Sequence, residues 1–176
     1  MRSPIACKSG FARSALIAIL SFPLMVSAHA DTPVSGSFWI GTPASFITLK
    51  YARAIKGEPA NTKETTILVL TERDSSKSVF DPVRGELVGE DVGDGLILSI
   101  TSDGKLVWIK VAHDIEIYSP KLSQVELYDF NSDDGQVKGK ISTFGSKTLV
   151  NDKSGAPCLG GCPQWNVDLS FSVAAP

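Results

Sequence analysis

From Trp165 to Val173 the chain alternates large apolar and small polar residues without a fault: Trp165, Val167, Leu169, Phe171 and Val173 against Asn166, Asp168, Ser170 and Ser172. Side chains of a strand point to opposite faces in turn, so this run predicts a strand with one face in a core and the other in water. Such a strand needs partners to cover its apolar face and pair its backbone. The rest of the chain is therefore expected to supply an antiparallel sheet structure.

The preceding segments fit that expectation. Val34 to Gly41 and Ser45 to Ala54 read as strands parted by Gly41-Thr42-Pro43, with Ile47, Leu49 and Tyr51 on one face of the second and Phe46, Thr48 and Lys50 on the other. Lys56 to Glu64 is a polar loop. Thr65 to Thr71 is apolar in consecutive positions and rich in β-branched residues, the pattern of a strand covered on both faces. Glu72 to Pro82 breaks the rhythm and is read as a helical turn that Val79 and Phe80 anchor to the core. Arg84 to Gly89 is a short strand, followed by an acidic turn.

Two hairpins come next. Leu96 to Thr101 and Leu106 to Ala112 flank Asp103-Gly104, the chemistry of a tight two-residue turn. Pairing Ser102 with Lys105 sets Ile100 opposite Val107, Leu98 opposite Ile109 and Leu96 opposite Val111, an aliphatic face on both strands. Gln124 to Phe130 and Val137 to Phe144 form the second hairpin about Asp134-Gly135. Its expected pairs are Asp129 with Lys140, Tyr128 with Ile141 and Phe130 with Gly139, the last an aromatic ring covering a glycine. About nine strands at roughly ten-residue spacing predict an all-β fold, a single antiparallel β-sandwich, with a closed or partly open β-barrel as the alternative.

The first thirty residues stand apart. Arg2, Lys8 and Arg13 precede an apolar run from Ala15 to Val26, and Ala28-His29-Ala30 gives the small-x-small pattern of a cleavage site, so residues 1–30 read as a signal peptide and residues 31–176 as one domain. The apolar run is shorter than the roughly 20 residues a spanning helix needs and contains Pro23, so stable membrane insertion after cleavage is not expected. The product is expected to be exported, periplasmic or secreted. Without Arg2, Lys8 and Arg13, the 17 basic residues fall to 14 against 19 acidic ones, a net charge of −5. With the cations scattered, the field that holds a phosphate backbone is missing, and nucleic acid is not an expected partner.

Export also decides the cysteines. Cys158 and Cys162 remain after cleavage, and in an oxidising compartment they are expected to form a disulfide around Leu159, Gly160 and Gly161. The spacing is not C-x-x-C, and a zinc site would need two more ligands from a mature chain with one histidine. The bridged loop is a candidate recognition loop, with Leu159 as the side chain offered to a partner.

Candidate chemistry is sparse. His113 next to Asp114 permits a general base, but there is no G-x-S-x-G motif. Asp129, Asn131 and Asp133 place oxygens at every second residue, as calcium loops do. However, the sixth position is Asp134 rather than glycine and the twelfth is Lys140 rather than glutamate, so ordinary turn chemistry is the stronger reading. No metal or other cofactor is expected. Of Trp39, Trp108 and Trp165, Trp108 shares a face with Ser99 and Lys110 and is the candidate exposed aromatic. Gly36-Ser37-Phe38-Trp39 is similar to the lipocalin G-x-W signature over four residues, with one residue too many between glycine and tryptophan.

The expectation is an exported, non-catalytic binding protein acting by surface recognition of a macromolecular partner, another protein or a cell-envelope component, such as an inhibitor or accessory protein would. A small-molecule or lipid-binding barrel is the first alternative. A hydrolase using His113 is the second.

Overall fold

The computed structural model describes residues 33–41, 43–114, 116–149 and 162–176. The expected signal peptide, Cys158 and the loop residues Leu159, Gly160 and Gly161 lie outside them.

Thirteen strands and one 3-10 turn make up the described fold. Sheet A holds β1 (Val34–Ile40), β2 (Ser45–Ile47), β10 (Glu126–Asn131), β11 (Gln136–Ser142), β12 (Lys147–Thr148) and β13 (Gln164–Ala174), with the order β10-β11-β13-β1-β2 and β12 on the end of β13. Sheet B holds β3 (Tyr51–Lys56), β4 (Thr65–Thr71), β7 (Gly95–Thr101), β8 (Leu106–His113) and β9 (Glu116–Tyr118), paired in chain order. A separate two-stranded ribbon, β5 (Val79–Asp81) and β6 (Glu86–Val88), is called the flap below. All pairings are antiparallel and the two sheets are not closed on each other, so the fold is a sandwich and the barrel alternative is set aside.

The alternating segment at 165–173 sits near the middle of sheet A, between β11 and β1. Trp165, Val167, Leu169, Phe171 and Val173 are buried while Asp168 and Ser172 are exposed. Facing them from sheet B are Leu68, Leu70, Leu96, Leu98, Ile100, Ile109 and Val111, and the two inner faces merge into one apolar cluster. At about 25 cal/mol per Å² of apolar surface, burial on this scale is the main term opposing the chain's conformational entropy.

Several expectations are corrected in detail. The predicted strand Ser45–Ala54 is two strands in different sheets, because the chain crosses the sandwich at Thr48–Lys50. Leu49 plugs the corner at 5% exposure, and the phase then slips by one. Ile47 and Leu49 face the core before the corner, Ala52 and Ala54 after it, and Tyr51 is exposed. The predicted helical turn in Glu72–Pro82 is an isolated, non-helical turn, closed by Ser78 N–H to the Ser75 carbonyl at 3.1 Å, and the rest of the segment contains β5. Phe80 packs inward as expected, but Val79 points out at 69% exposure.

Both hairpins carry an extra residue. In β7–β8 the pairs Leu96 with Val111 and Leu98 with Ile109 hold, but Ile100 meets Leu106 rather than Val107. The loop has three residues, Ser102, Asp103 and Gly104, closed by Thr101 N–H to the Lys105 carbonyl at 2.9 Å. Gly104, at φ +78°, takes the left-handed conformation that closes this kind of loop with a bulge. In β10–β11 the expected register holds at the turn end, where Asn131 pairs with Lys138, and slips by one on the far side of a bulge, where Tyr128 pairs with Lys140 and Leu127 with Ile141. Asp129, at φ +53°, is the bulged residue. The ring that covers Gly139 is that of Phe171, its partner in β13, whose Cζ would lie 2.8 Å from an added Cβ; the Phe130 backbone lies beside Gly139, but its ring covers Gly104.

The flap explains the unbroken apolar run in β4. Leu68 and Leu70 face the main core, while Ile67 and Val69 face outward with Ile97 and Trp108 into a second cluster roofed by Phe80 and Leu87 of the flap. Sheet B is thus covered on both sides. Two cations tie the flap down: Arg53 Nη2 donates to the Ser78 carbonyl at 2.8 Å, and Lys110 Nζ donates to the Arg84 carbonyl at 2.5 Å.

Candidate functional site

The outer face of sheet A is the counterpart to that roofed surface. Ser35, Ser37, Asp168, Ser172, Lys138 and Lys140 on it are exposed. Strand periodicity makes them so, since each is the polar partner of a buried neighbour in β1, β11 or β13. Aromatic rings stand at two sides of this polar field. At the β2 edge Phe46 is 79% exposed and lies opposite Trp39, which is half-buried. Beyond the end of β11, Phe144 is 64% exposed and stacks on Tyr128 with ring centroids 6.4 Å apart. Between the two pairs, Asn166 lies opposite Trp39 and donates from Nδ2 to Thr143 Oγ1 at 3.1 Å.

Electrostatics here are balanced. Lys140 Nζ is 2.7 Å from Asp129 Oδ2 and 5.7 Å from the centre of the Tyr128 ring. The hydrogen bond to Asp129 raises the Lys140 ammonium above its usual pKa, so the amine stays charged and committed to this corner. A surface of this composition gives large rigid rings as anchors and short hydroxyl, amide and carboxylate groups for hydrogen bonding, with little apolar aliphatic area.

Trp108, the expected exposed aromatic, is half-buried and stacked under Phe80, with ring centroids 6.3 Å apart and planes 9° from parallel. Phe46 and Phe144 are the most exposed aromatic rings among the described residues, and sequence reasoning did not single them out. The signal for Phe46 was its outward phase in Ser45–Ile47. Phe144 had none, because its φ of +47° takes it out of the strand pattern.

Of the calcium candidates, Asp129 and Asn131 are exposed in β10 and Asp133 lies in the turn that follows, and the contacts of all three are local. Asp129 pairs with Lys140, and Asn131 Oδ1 accepts the Asp133 N–H at 2.6 Å, the local bond that makes Asn a turn residue. Asp133 is exposed. The structure gathers a different trio, Asp94, His113 and Asp114, with one ligand atom from each within 4.8 Å of the others. His113 Nδ1 is 2.9 Å from Asp94 Oδ2, and Asp94 Oδ1 accepts the Asp114 N–H at 3.0 Å. The Asp94 carboxylate therefore clips the end of β8 to the chain entering β7. Its bond to Nδ1 can fix the ring tautomer and leave Nε2 facing Asp114 Oδ2 at 3.7 Å. No serine hydroxyl among the described hydrogen bonds completes this pair.

Family models, curated proteins and solved structures were each compared with the chain, and none of them matches it.

Proposed function

We propose that this protein is an exported, non-catalytic β-sandwich that recognises a macromolecular partner, another protein or a component of the cell envelope, through the outer face of sheet A. The observation that supports this reading is the asymmetry of the two sheets. The flap roofs the outer face of sheet B, whereas sheet A offers Phe46 and Phe144 to solvent on either side of a polar strip. Exposed rings cost solubility and add nothing to a core, and aromatic side chains are the commonest anchors at recognition surfaces.

The loop from Cys158 to Cys162 belongs to the same proposal as a second contact. A disulfide there would hold Leu159 in place and lower the entropy lost on binding.

The test is capture by the immobilised mature protein, from secreted and envelope fractions of its source cells and from isolated wall polysaccharide. The double variant Phe46→Ala/Phe144→Ala should lose the captured species by about tenfold or more, the usual weight of an aromatic anchor. Leu159→Asp with both cysteines changed to Ser should weaken capture separately. Equal capture by wild type and the aromatic double variant would remove sheet A from the account.

A further inference from the structure

On the opposite side of the molecule, a groove of about 520 Å³ opens between the edge strand β3 and the flap. Its volume is in the range of small-molecule sites. Arg53 and Ile55 of β3 form one side and Val79, Phe80 and Pro82 of the flap the other, so the guanidinium stands beside an apolar wall, with Lys56, Glu58 and Ser78 also in the lining. The register puts Arg53 opposite Val69 and Ile55 opposite Ile67, on the roofed face of sheet B.

Arg53 is under-satisfied where it stands. Its Nη2 donates to the Ser78 carbonyl, its Nε is buried with no acceptor, and among the described residues no carboxylate lies within ion-pair distance. Burial depresses its pKa, and the charge of Asp74 partly offsets this. A guanidinium held in a half-buried site with one neutral acceptor is short of the anionic partner that such a group usually has. The charges around the groove have the matching sign: Arg53 and Lys56 against Glu58 leave one positive charge. Lys56 is only loosely engaged, 3.8 Å from Glu64 with both side chains largely exposed.

We propose that the groove binds a small amphiphilic carboxylate, with its head at Arg53 and its hydrocarbon chain along Ile55, Val79 and Phe80. The site is separate from the aromatic face of sheet A, so it adds to the recognition reading and does not depend on it. The planar fork of arginine suits a carboxylate, and the valine and phenylalanine wall has no hydrogen-bonding group to spend on a polar tail.

Titration of the mature protein with decanoate, followed by calorimetry and by Trp108 fluorescence beneath Phe80, tests this directly. The expected result is saturable binding of decanoate, with decanol and decyltrimethylammonium at least about tenfold weaker, since each lacks the charge-assisted bond. Arg53→Met should weaken decanoate by a similar factor. Because Arg53 also tethers the flap, Val79→Asp provides a second variant at an exposed position that leaves the tether intact and should abolish uptake of the chain. Glu58→Lys should tighten binding severalfold. Absence of saturable decanoate binding, equal affinity for decyltrimethylammonium, or decanoate affinity unchanged in Val79→Asp would overturn the proposal.

Discussion

Asp103, at the tip of the β7–β8 hairpin, uses both carboxylate oxygens. Oδ2 takes Lys63 Nζ at 2.5 Å and Oδ1 accepts the Thr101 hydroxyl at 2.6 Å. The bond to Lys63, followed by that to Thr101, lowers its pKa to about 2. A carboxylate whose folded pKa lies below its unfolded value stabilises the fold above the unfolded pKa, and that contribution fades as pH falls through the folded one. Acidification from about pH 5 should therefore lower the melting temperature of wild type more steeply than that of Asp103→Asn, with most of the difference lost between about pH 4 and about pH 2. Parallel curves for the two proteins would assign Asp103 no such role. The turn itself was legible, because Asp-Gly between two aliphatic runs has few other uses. The lysine was not: it comes from the β3–β4 loop, 40 positions away in the chain. Asp129 shows the same limit from the other side. Its pairing with Lys140 was expected from strand register, and the ion pair does form, but through a bulge that shifts the register by one.

Among the elements, the flap separates what a pattern can and cannot report. Seven consecutive apolar or threonine positions in β4 announce a strand covered twice, and the structure covers it twice. What does the covering could not be read, because β5 and β6 have three residues each and too few positions to display a period. A ribbon that short is not stable alone and depends on what it packs against. Phe80 is its main apolar anchor, stacked on Trp108 and packed with Leu87 against Ile67, Val69 and Ile97. Phe80→Ala should cost about 2 kcal/mol, below the full value for a buried ring because this one is partly exposed. It should also open residues 73–93 to limited proteolysis, while amide exchange in β7 and β13 stays slow. Uniform acceleration of exchange in every strand would instead mean that the flap is part of one cooperative core.

At the scale of the molecule, the first and last strands are neighbours. Val34 pairs with Phe171 and Ile40 with Trp165, and on its other side β13 pairs along the length of β11. Gly36 sits in this seam at φ +122°, where an added Cβ would come 2.2 Å from the Asp168 carbonyl, so the two backbones approach as only glycine permits. Sheet A therefore cannot close until the chain's C-terminal segment arrives, which predicts slow, non-local folding. A chain ending at residue 163 should show no cooperative thermal transition and no near-ultraviolet signal from packed aromatics. Retention of a sharp transition would show that sheet B and the flap form an independent unit. The sequence by itself determined the all-β class, the one-sided closing strand, the doubly covered β4 and the positions of both hairpins, because each rests on side-chain alternation or turn chemistry within a few residues. Only the tertiary structure decided the sheet crossing at Leu49, the two bulges, the roof over Trp108, the exposure of Phe144, and the groove at Arg53. Each of these depends on segments distant in the chain meeting in space, and a local period carries no record of what lies across from it.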